Sequence, residues 1–364
     1  MMAKSRGRQG GGFAPVIFKT RLFRLVQPPS GGTLRALGDS ITVGTASSNG
    51  NLAYSSLVTA KLGYTQSDLA LASTQIVDQC TSNAGASNQV YLGTSIPATD
   101  MWVWLTGYND MRYFGTDATG LETYKRTLRS AVAWISRKAS DCKQAGSDAA
   151  WTLTGSWTPV IINGLNTSYS VSSGDSASIV LNGTAITLSY MSHFGLGDGG
   201  TFSVKIDGVT VNASVDTDFG SLSGFAASST TSVPMALRFD GLAPGNHTLL
   251  VTLTSNAVVQ LCFACGNGGG SNSVTPRVFL APSIKMIASA YSANSPYNNG
   301  SDAAVALYER TVELIARDAQ ADNREVYYAD VNKYYSVSNG RSGDDVHPND
   351  IGHAQIYNAI LNAR

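Results

Sequence analysis

The sequence predicts an α/β fold that is interrupted by an inserted antiparallel β-sandwich, and three observations support this. Apolar runs of strand length alternate with stretches of helical periodicity before about residue 150 and again after about residue 275. Between them lies a segment rich in Ser, Thr, Gly and Asn, in which turn pairs such as Asn182-Gly183 separate short β-prone runs. A chain of 364 residues has room for one large domain and a second module.

The expected organisation has three parts. Residues 1–32 form a basic flexible leader or arm, residues 33–150 and 275–364 together form the α/β domain, and residues 151–274 form the sandwich. The leader carries six basic side chains and no acidic one, whereas the rest of the chain has 19 basic and 25 acidic side chains. A mildly acidic body argues against nucleic acid as a partner.

Neither a signal peptide nor a membrane span is evident in the sequence. The apolar run Val16–Phe18 is broken at once by basic residues, and no stretch is long and apolar enough to cross a bilayer. We therefore expect no membrane partner. The compartment stays open, with extracellular and virion-surface locations both compatible with the sequence.

Each half of the α/β domain has its own predicted elements. Before the insertion we expect strands at Thr33–Leu37, Gln75–Val77 and Met101–Leu105, and a helix at 121–139. Residues 41–62 are helix-compatible, with apolar residues at helical spacing over Tyr54–Leu62 and a C-cap at Gly63. The third of these strands is apolar throughout, as is typical of a parallel sheet covered on both faces. After the insertion the same pattern returns: strands at 277–282 and 325–330, and helices at 302–321 and 352–361.

The four cysteines do not predict a metal site. Cys262 and Cys265 have the spacing of a zinc or redox motif, but no second Cys or His pair lies at a suitable distance. Packing within strands is therefore the favoured role. Disulfides between Cys80 and Cys142, or between Cys262 and Cys265, remain open.

Ser40 is the candidate nucleophile. It lies in Gly38-Asp39-Ser40, between a predicted strand and a predicted helix, so its hydroxyl would stand at the edge of the sheet near unpaired backbone N–H groups. Taken alone the motif is weak, because Gly, Asp and Ser are also common turn and N-cap residues.

A serine nucleophile needs a base, and the sequence offers four histidines. His193 and His247 fall in the predicted sandwich and His353 in the closing helix, where packing roles are favoured. His347 differs because Asp344 precedes it by three residues, so the carboxylate can reach Nδ1 and leave Nε2 to face the serine.

Asn109 is the candidate donor to a developing oxyanion. It lies in Gly107-Tyr108-Asn109-Asp110, directly after the apolar strand, and the carboxyl ends of parallel strands are where α/β sites form. Its amide can donate a hydrogen bond without carrying charge. A simple turn is the alternative for this segment.

Together these segments, in this order, resemble the sequence blocks of the SGNH (GDSL-like) hydrolase family. The resemblance covers 33–150 and 275–364, and it implies a flavodoxin-like three-layer α/β/α fold with a jelly-roll-like sandwich inserted. It also implies Ser40 as nucleophile, His347 as base and Asp344 as the orienting acid. No Gly-x-Ser-x-Gly is present, which disfavours the α/β-hydrolase elbow.

The resemblance further implies an oxyanion hole and no cofactor. The backbone N–H of Ser40 and the side chain of Asn109 would donate, together with a glycine N–H from the 83–88 loop. One alignment places Gly85 at that position and another places Asn88 there. Family members need no metal and no organic cofactor.

The expected activity is hydrolysis of a short-chain acyl ester, with acetyl favoured, on a carbohydrate. A low-charge, Ser/Thr/Gly-rich sandwich resembles the carbohydrate-binding modules of polysaccharide esterases, so the expected partner is an acylated carbohydrate or another small ester. The sandwich as a spacer or an oligomer contact remains open. Lipase or thioesterase activity, and a non-enzymatic glycan-binding surface protein with a vestigial hydrolase domain, are the alternatives.

Overall fold

The structure is a computed structural model that describes residues 32–81, 90–91, 99–138, 140–194, 199–218, 231–269, 275–292 and 295–364. In this part of the chain, parallel strands near both ends flank a long run of antiparallel strands. In chain order the strands are β1 (Thr33–Leu37), β2 (Thr65–Asp68), β3 (Met101–Leu105), β4 (Cys142–Gln144), β5 (Thr152–Thr154), β6 (Thr158–Ile162), β7 (Leu165–Ser170), β8 (Ser176–Gly183), β9 (Ile186–Phe194), β10 (Thr201–Ile206), β11 (Val209–Asp216), β12 (Thr231–Phe239), β13 (Gly245–Leu253), β14 (Val259–Gly266), β15 (Arg277–Ala281) and β16 (Val326–Tyr328).

The helices lie almost entirely outside the antiparallel run. They are α1 (Ser40–Val43), α2 (Tyr54–Leu62), α3 (Ile76–Gln79), α4 (Tyr108–Phe114), α5 (Ala118–Ile135), α6 (Ala288–Tyr291), α7 (Asp302–Ala321), α8 (Val331–Tyr334), α9 (Val337–Gly340) and α10 (Asp350–Leu361), with a 3₁₀ turn at Gly50–Leu52. Within the described ranges, no helix is long and apolar enough to cross a membrane.

The parallel sheet has the strand order β2–β1–β3–β15–β16. Counted along the chain this is the order 2-1-3-4-5 of a doubly wound sheet, in which functional groups gather at the carboxyl ends of the strands. The central strand β3 is buried at every residue. Each fully buried apolar side chain of this kind contributes about 1.5–3 kcal/mol to folding.

Two groups of helices cover this sheet. Helix α2 contacts α10, and helix α5 contacts α7. Parallel strands are nearly always joined by right-handed crossovers, and in this strand order such crossovers would put the two groups on opposite faces. This agrees with the burial of β3 on both of its sides.

The antiparallel strands form two stacked sheets within the described residues. The outer sheet has the order β11–β10–β13–β8–β5, and the inner sheet has the order β12–β9–β14–β7–β6. β4 also pairs with β14, so antiparallel pairing begins before residue 151. The inner sheet packs against α5, where the Trp134 ring lies 5.3 Å from the Phe263 ring.

Charged groups reinforce the contact between the inner sheet and the helices. Arg238 on β12 makes a two-pronged contact with the Asp322 carboxylate, at 2.5 and 2.8 Å, and both side chains are buried. Arg126 on α5 donates to the Tyr190 hydroxyl of β9 at 2.9 Å. Removing one partner of the Arg238–Asp322 pair would be costly, because the other charge would remain buried and unpaired.

The disulfide of this protein joins Cys142 and Cys265, which corrects both pairings left open by the sequence. These two cysteines face each other in the register of β4 and β14. Cys80 and Cys262 are free and buried. Spacing could not predict this pairing, because the register depends on how the intervening chain folds.

One prediction for the first half of the chain was wrong. The segment Gln75–Val77 is not a strand: Ile76–Gln79 is a short helix that starts with a capping box between Gln75 and Asp78, and the second strand is β2 instead. The helix-compatible stretch 41–62 holds two helices, because Gly44 takes a left-handed conformation (φ 89°) that ends α1 after one turn. The second, α2, covers Tyr54–Leu62 and ends at Gly63, which confirms the prediction for that segment.

Candidate active site

Ser40 is the first residue of α1, three residues beyond the end of β1. Gly38 allows the chain to turn sharply between the end of β1 and Ser40. Its φ is +142°, and a Cβ there would lie 2.7 Å from the carbonyl oxygen of Leu105 at the end of β3. The chain therefore turns sharply against the neighbouring strand and carries Ser40 to the edge of the sheet.

Ser40, His347 and Asp344 form one chain of hydrogen bonds. The Ser40 hydroxyl lies 2.9 Å from His347 Nε2, and His347 Nδ1 lies 2.7 Å from Asp344 Oδ2. The serine and the histidine are 307 residues apart in sequence. The loop before α10 therefore reaches back across the sheet edge to meet the loop after β1.

The Asp344 oxygen that does not face His347, Oδ1, holds the carboxylate in place. Oδ1 accepts hydrogen bonds from the Ser342 hydroxyl at 2.5 Å and from the backbone N–H groups of Val346 and His347, both at 2.9 Å. Partial burial alone would raise the pKa of this carboxyl, but these bonds and the imidazole contact hold it well below its usual value. The carboxylate is therefore ionised and aligned where it faces the imidazole.

The Gly-Tyr-Asn-Asp segment begins α4 and is more than a surface turn. Asn109 donates from Nδ2 to the carbonyl oxygen of Thr74 at 2.9 Å, and the Asp110 carboxylate accepts from the N–H of Ile76 at 3.1 and 3.3 Å. Both side chains are buried. They therefore tie the start of α4 to the loop that follows β2.

Asn109 and Ser40 both lie just beyond the carboxyl ends of neighbouring strands, at the same edge of the sheet. Strands β1 and β3 are direct neighbours, with Leu37 paired to Trp104. Ser40 and Asn109 follow the ends of these strands by three and four residues. The other predicted oxyanion donors, Gly85 and Asn88, lie outside the described residues, so that expectation stays a prediction.

Asp39 is a buried acid that the sequence did not single out. Its Oδ1 accepts from the N–H of Ile41 at 3.0 Å and caps α1, whereas Oδ2 has no hydrogen-bond partner among the described residues. Burial raises the pKa of this carboxyl from 3.8 to about 7, against the opposing effects of its backbone hydrogen bonds and of Arg112.

We expect the Asp39→Asn substitution to stabilise the protein more at pH 8 than at pH 5. The carboxyl ionises near pH 3.8 when unfolded and near 7 when folded. Between these values only the folded state holds the proton, so stability falls as pH rises, by about 1.4 kcal/mol per pH unit. Asn keeps the acceptor for Ile41 and cannot ionise. Thermal unfolding of both proteins at the two pH values checks this, and an equal difference in Tm at both would contradict it.

The other three histidines make packing and hydrogen-bond contacts elsewhere. His193 Nδ1 lies 3.0 Å from the Ser232 hydroxyl, and His247 contacts both Asp207 and the carbonyl of Ala243. His353 is buried in α10, and burial lowers its pKa to about 4. In the described ranges, no group of three or more His, Cys, Asp or Glu side chains is arranged to hold a metal ion.

No family model matches this chain, and no curated protein matches it. Among solved structures, a two-domain esterase active on acetylated mannans, co-crystallized with mannopentaose, is 13% identical with a TM-score of 0.35, over 65% of this chain and 90% of that one. A CBM36 carbohydrate-binding module in complex with calcium and xylotriose is 15% identical with a TM-score of 0.25, over 34% and 96%. The CBM35 from Cellvibrio japonicus Abf62 is 16% identical with a TM-score of 0.27, over 35% and 99%. Identities and TM-scores this low establish neither a shared fold nor a shared substrate.

Proposed function

We propose that this protein is a serine esterase of the SGNH type that removes short acyl groups, acetyl above all, from a carbohydrate. In this proposal the parallel sheet and its helices form the catalytic domain, and the antiparallel sheets form a carbohydrate-facing insertion. The observation that carries it is the hydrogen-bonded chain from Ser40 through His347 to Asp344. It ends on an ionised carboxylate and begins at a serine on the carboxyl-end edge of the sheet.

The chemistry follows from that chain. The Ser40 oxygen attacks the ester carbonyl while His347 Nε2 takes the proton of the Ser40 hydroxyl. Asp344 stabilises the imidazolium that forms. The imidazolium then returns the proton to the departing alcohol, which leaves an acyl-enzyme on Ser40. In the second half, the same imidazole activates water, and the acid is released.

Asn109 is proposed to stabilise the oxyanion of both tetrahedral intermediates. A primary amide carries two hydrogens, and the bond to the carbonyl of Thr74 uses one of them. The second is then available to the substrate oxygen. Since its neighbour Asp110 is anchored to Ile76, the amide is held in place before the reaction, which is what makes such a donor effective.

The carbohydrate part of the proposal is supported by the surface of the outer sheet. Its exposed side chains include uncharged amides and a hydroxyl on adjacent strands, with Asn182 directly opposite Asn246 and with Thr248 two residues beyond Asn246 on the same face of β13. Such groups can both donate and accept hydrogen bonds, as sugar hydroxyls require. Together with the low-charge, Ser/Thr/Gly-rich composition of the antiparallel segment, this favours a glycan over a lipid.

Chain-length preference and acetate release test the proposal. We expect kcat/KM for p-nitrophenyl esters to fall at least about tenfold from acetate to octanoate. We also expect acetate release from at least one acetylated polysaccharide in a screen of several. A maximum at octanoate would favour a lipase or thioesterase. Glycan binding without hydrolysis of any ester would favour the non-enzymatic alternative.

A further inference from the structure

The peptide group that joins Val346 to His347 is hydrogen-bonded at both ends. Its carbonyl oxygen accepts from the Tyr108 hydroxyl, and its N–H donates to Asp344 Oδ1 at 2.9 Å. The next carbonyl, that of His347 itself, accepts from the N–H of Ser342 at 2.8 Å. The backbone that carries the imidazole cannot rotate without breaking at least one of these bonds.

Only one of these three bonds comes from outside the loop. Ser342 and Asp344 belong to the same short segment as His347, so their bonds shape the loop without fixing it to the core. Tyr108 lies at the start of α4, 238 residues away in sequence. Its hydroxyl therefore fixes the loop to the core on the side of Val346, whereas Asp350, which accepts from the Ser48 N–H and hydroxyl at 2.8 and 2.6 Å, fixes the chain beyond His347.

The position of the Tyr108 hydroxyl is itself well determined. The side chain is fully buried, the Arg112 guanidinium lies over its ring at 5.6 Å, and Met286 Sδ lies 3.0 Å from its oxygen. Burial raises the pKa of this phenol well above 10. The hydroxyl therefore keeps its proton throughout the working range of an esterase and always donates to the Val346 carbonyl.

We propose that Tyr108 is a positioning residue for this reaction, which holds His347 in line with Ser40 through the Val346 carbonyl. This inference rests on the proposed function and adds a residue to it. Tyr108 precedes Asn109 directly, so the first turn of α4 positions the base with one side chain and supplies the proposed oxyanion donor with the next. In this proposal the first turn of α4 sets the distance between the base, His347, and the proposed oxyanion donor, Asn109.

The Tyr108→Phe variant tests this role because it keeps the ring and removes only the hydroxyl. We expect kcat for p-nitrophenyl acetate to fall by about ten- to a hundredfold, with KM changed less than about twofold, since the base and not the binding surface is displaced. The matched control is Tyr308→Phe. Tyr308 is equally buried in the helix layer and packs on Tyr124, and its hydroxyl bonds to no described group. This control should keep wild-type kcat.

A second measurement does not depend on activity. The ring Cε1–H signals of the four histidines are recorded by NMR, and the His347 signal is assigned by its loss in His347→Ala. We expect this signal to shift or broaden in Tyr108→Phe and to stay unchanged in Tyr308→Phe. An unchanged signal overturns the inference whatever happens to kcat, and so does a wild-type kcat in Tyr108→Phe. If the wild type hydrolyses no ester, the proposed function fails, and the NMR comparison still decides whether Tyr108 positions His347.

Discussion

The Ser40→Ala variant is expected to lose esterase activity by roughly 10⁴-fold or more, because the proposed acyl-enzyme forms on the Ser40 hydroxyl. Ser40 donates toward His347 Nε2 at 2.9 Å, and alanine leaves the imidazole facing a methyl group. Folding should be unaffected, since alanine suits the first position of α1 and the cap from Asp39 to Ile41 remains. The measurement is the rate of p-nitrophenyl acetate hydrolysis by matched preparations.

Two controls make the Ser40 result decisive. Ser47→Ala removes a hydroxyl in the following loop, where it donates to the carbonyl of Gly44, and this variant should retain wild-type activity. A fluorophosphonate should add one covalent label to the wild type, mapped to Ser40 by peptide mass, and none to Ser40→Ala. Equal hydrolysis rates in the wild type and Ser40→Ala would remove the basis for calling the protein a serine esterase.

The Asp344→Asn variant should reduce kcat by roughly a thousandfold or more, because it imposes the wrong imidazole tautomer. The asparagine oxygen can keep the bonds now made by Oδ1, so the loop should retain its shape. Its NH₂ would replace Oδ2, 2.7 Å from His347 Nδ1, and would donate to it. Nε2 would then carry a hydrogen and could not accept the proton of Ser40.

Asp345→Asn provides the control for Asp344→Asn in the next residue. Asp345 pairs with Arg341 on the exposed side of the loop, and its φ of 62° is one that asparagine tolerates. We expect kcat of Asp345→Asn to stay within about twofold of wild type, as for most surface changes. If Asp344→Asn were as active as Asp345→Asn, the carboxylate would have no part in orienting the base.

The strongly patterned elements were the part of the fold that the sequence predicted well. The amphipathic stretch Asp302–Ala321 coincides with α7, because a one-faced helix of this length leaves a clear pattern, and the apolar run Met101–Leu105 coincides with β3. Short apolar runs are ambiguous by comparison. Ile76-Val77 is apolar, but its backbone is helical. The capping box of Asp78 and the Asp110 carboxylate, which accepts from the N–H of Ile76, stabilise this turn.

For the candidate site, motif order identified the three residues that meet in the structure, while their catalytic roles stay a prediction. Ser40 and His347 could be paired from sequence because each lies in a short motif with its own chemical logic. Tyr108 and Asp39 could not be assigned in this way. The partner of a buried hydroxyl, or the pKa of a buried carboxyl, depends on which distant segments cover it, and no local pattern records that.

The bond between Cys142 and Cys265 has a consequence for how the chain assembles. It closes 123 residues of sequence into a loop whose two ends lie side by side. Strands β3 and β15 pair although the whole disulfide-closed segment lies between them in sequence, and the bond shortens the covalent path that connects them. Once the bond has formed, the loop-closure entropy of pairing β15 with β3 is set by this shorter path and no longer by the full sequence separation.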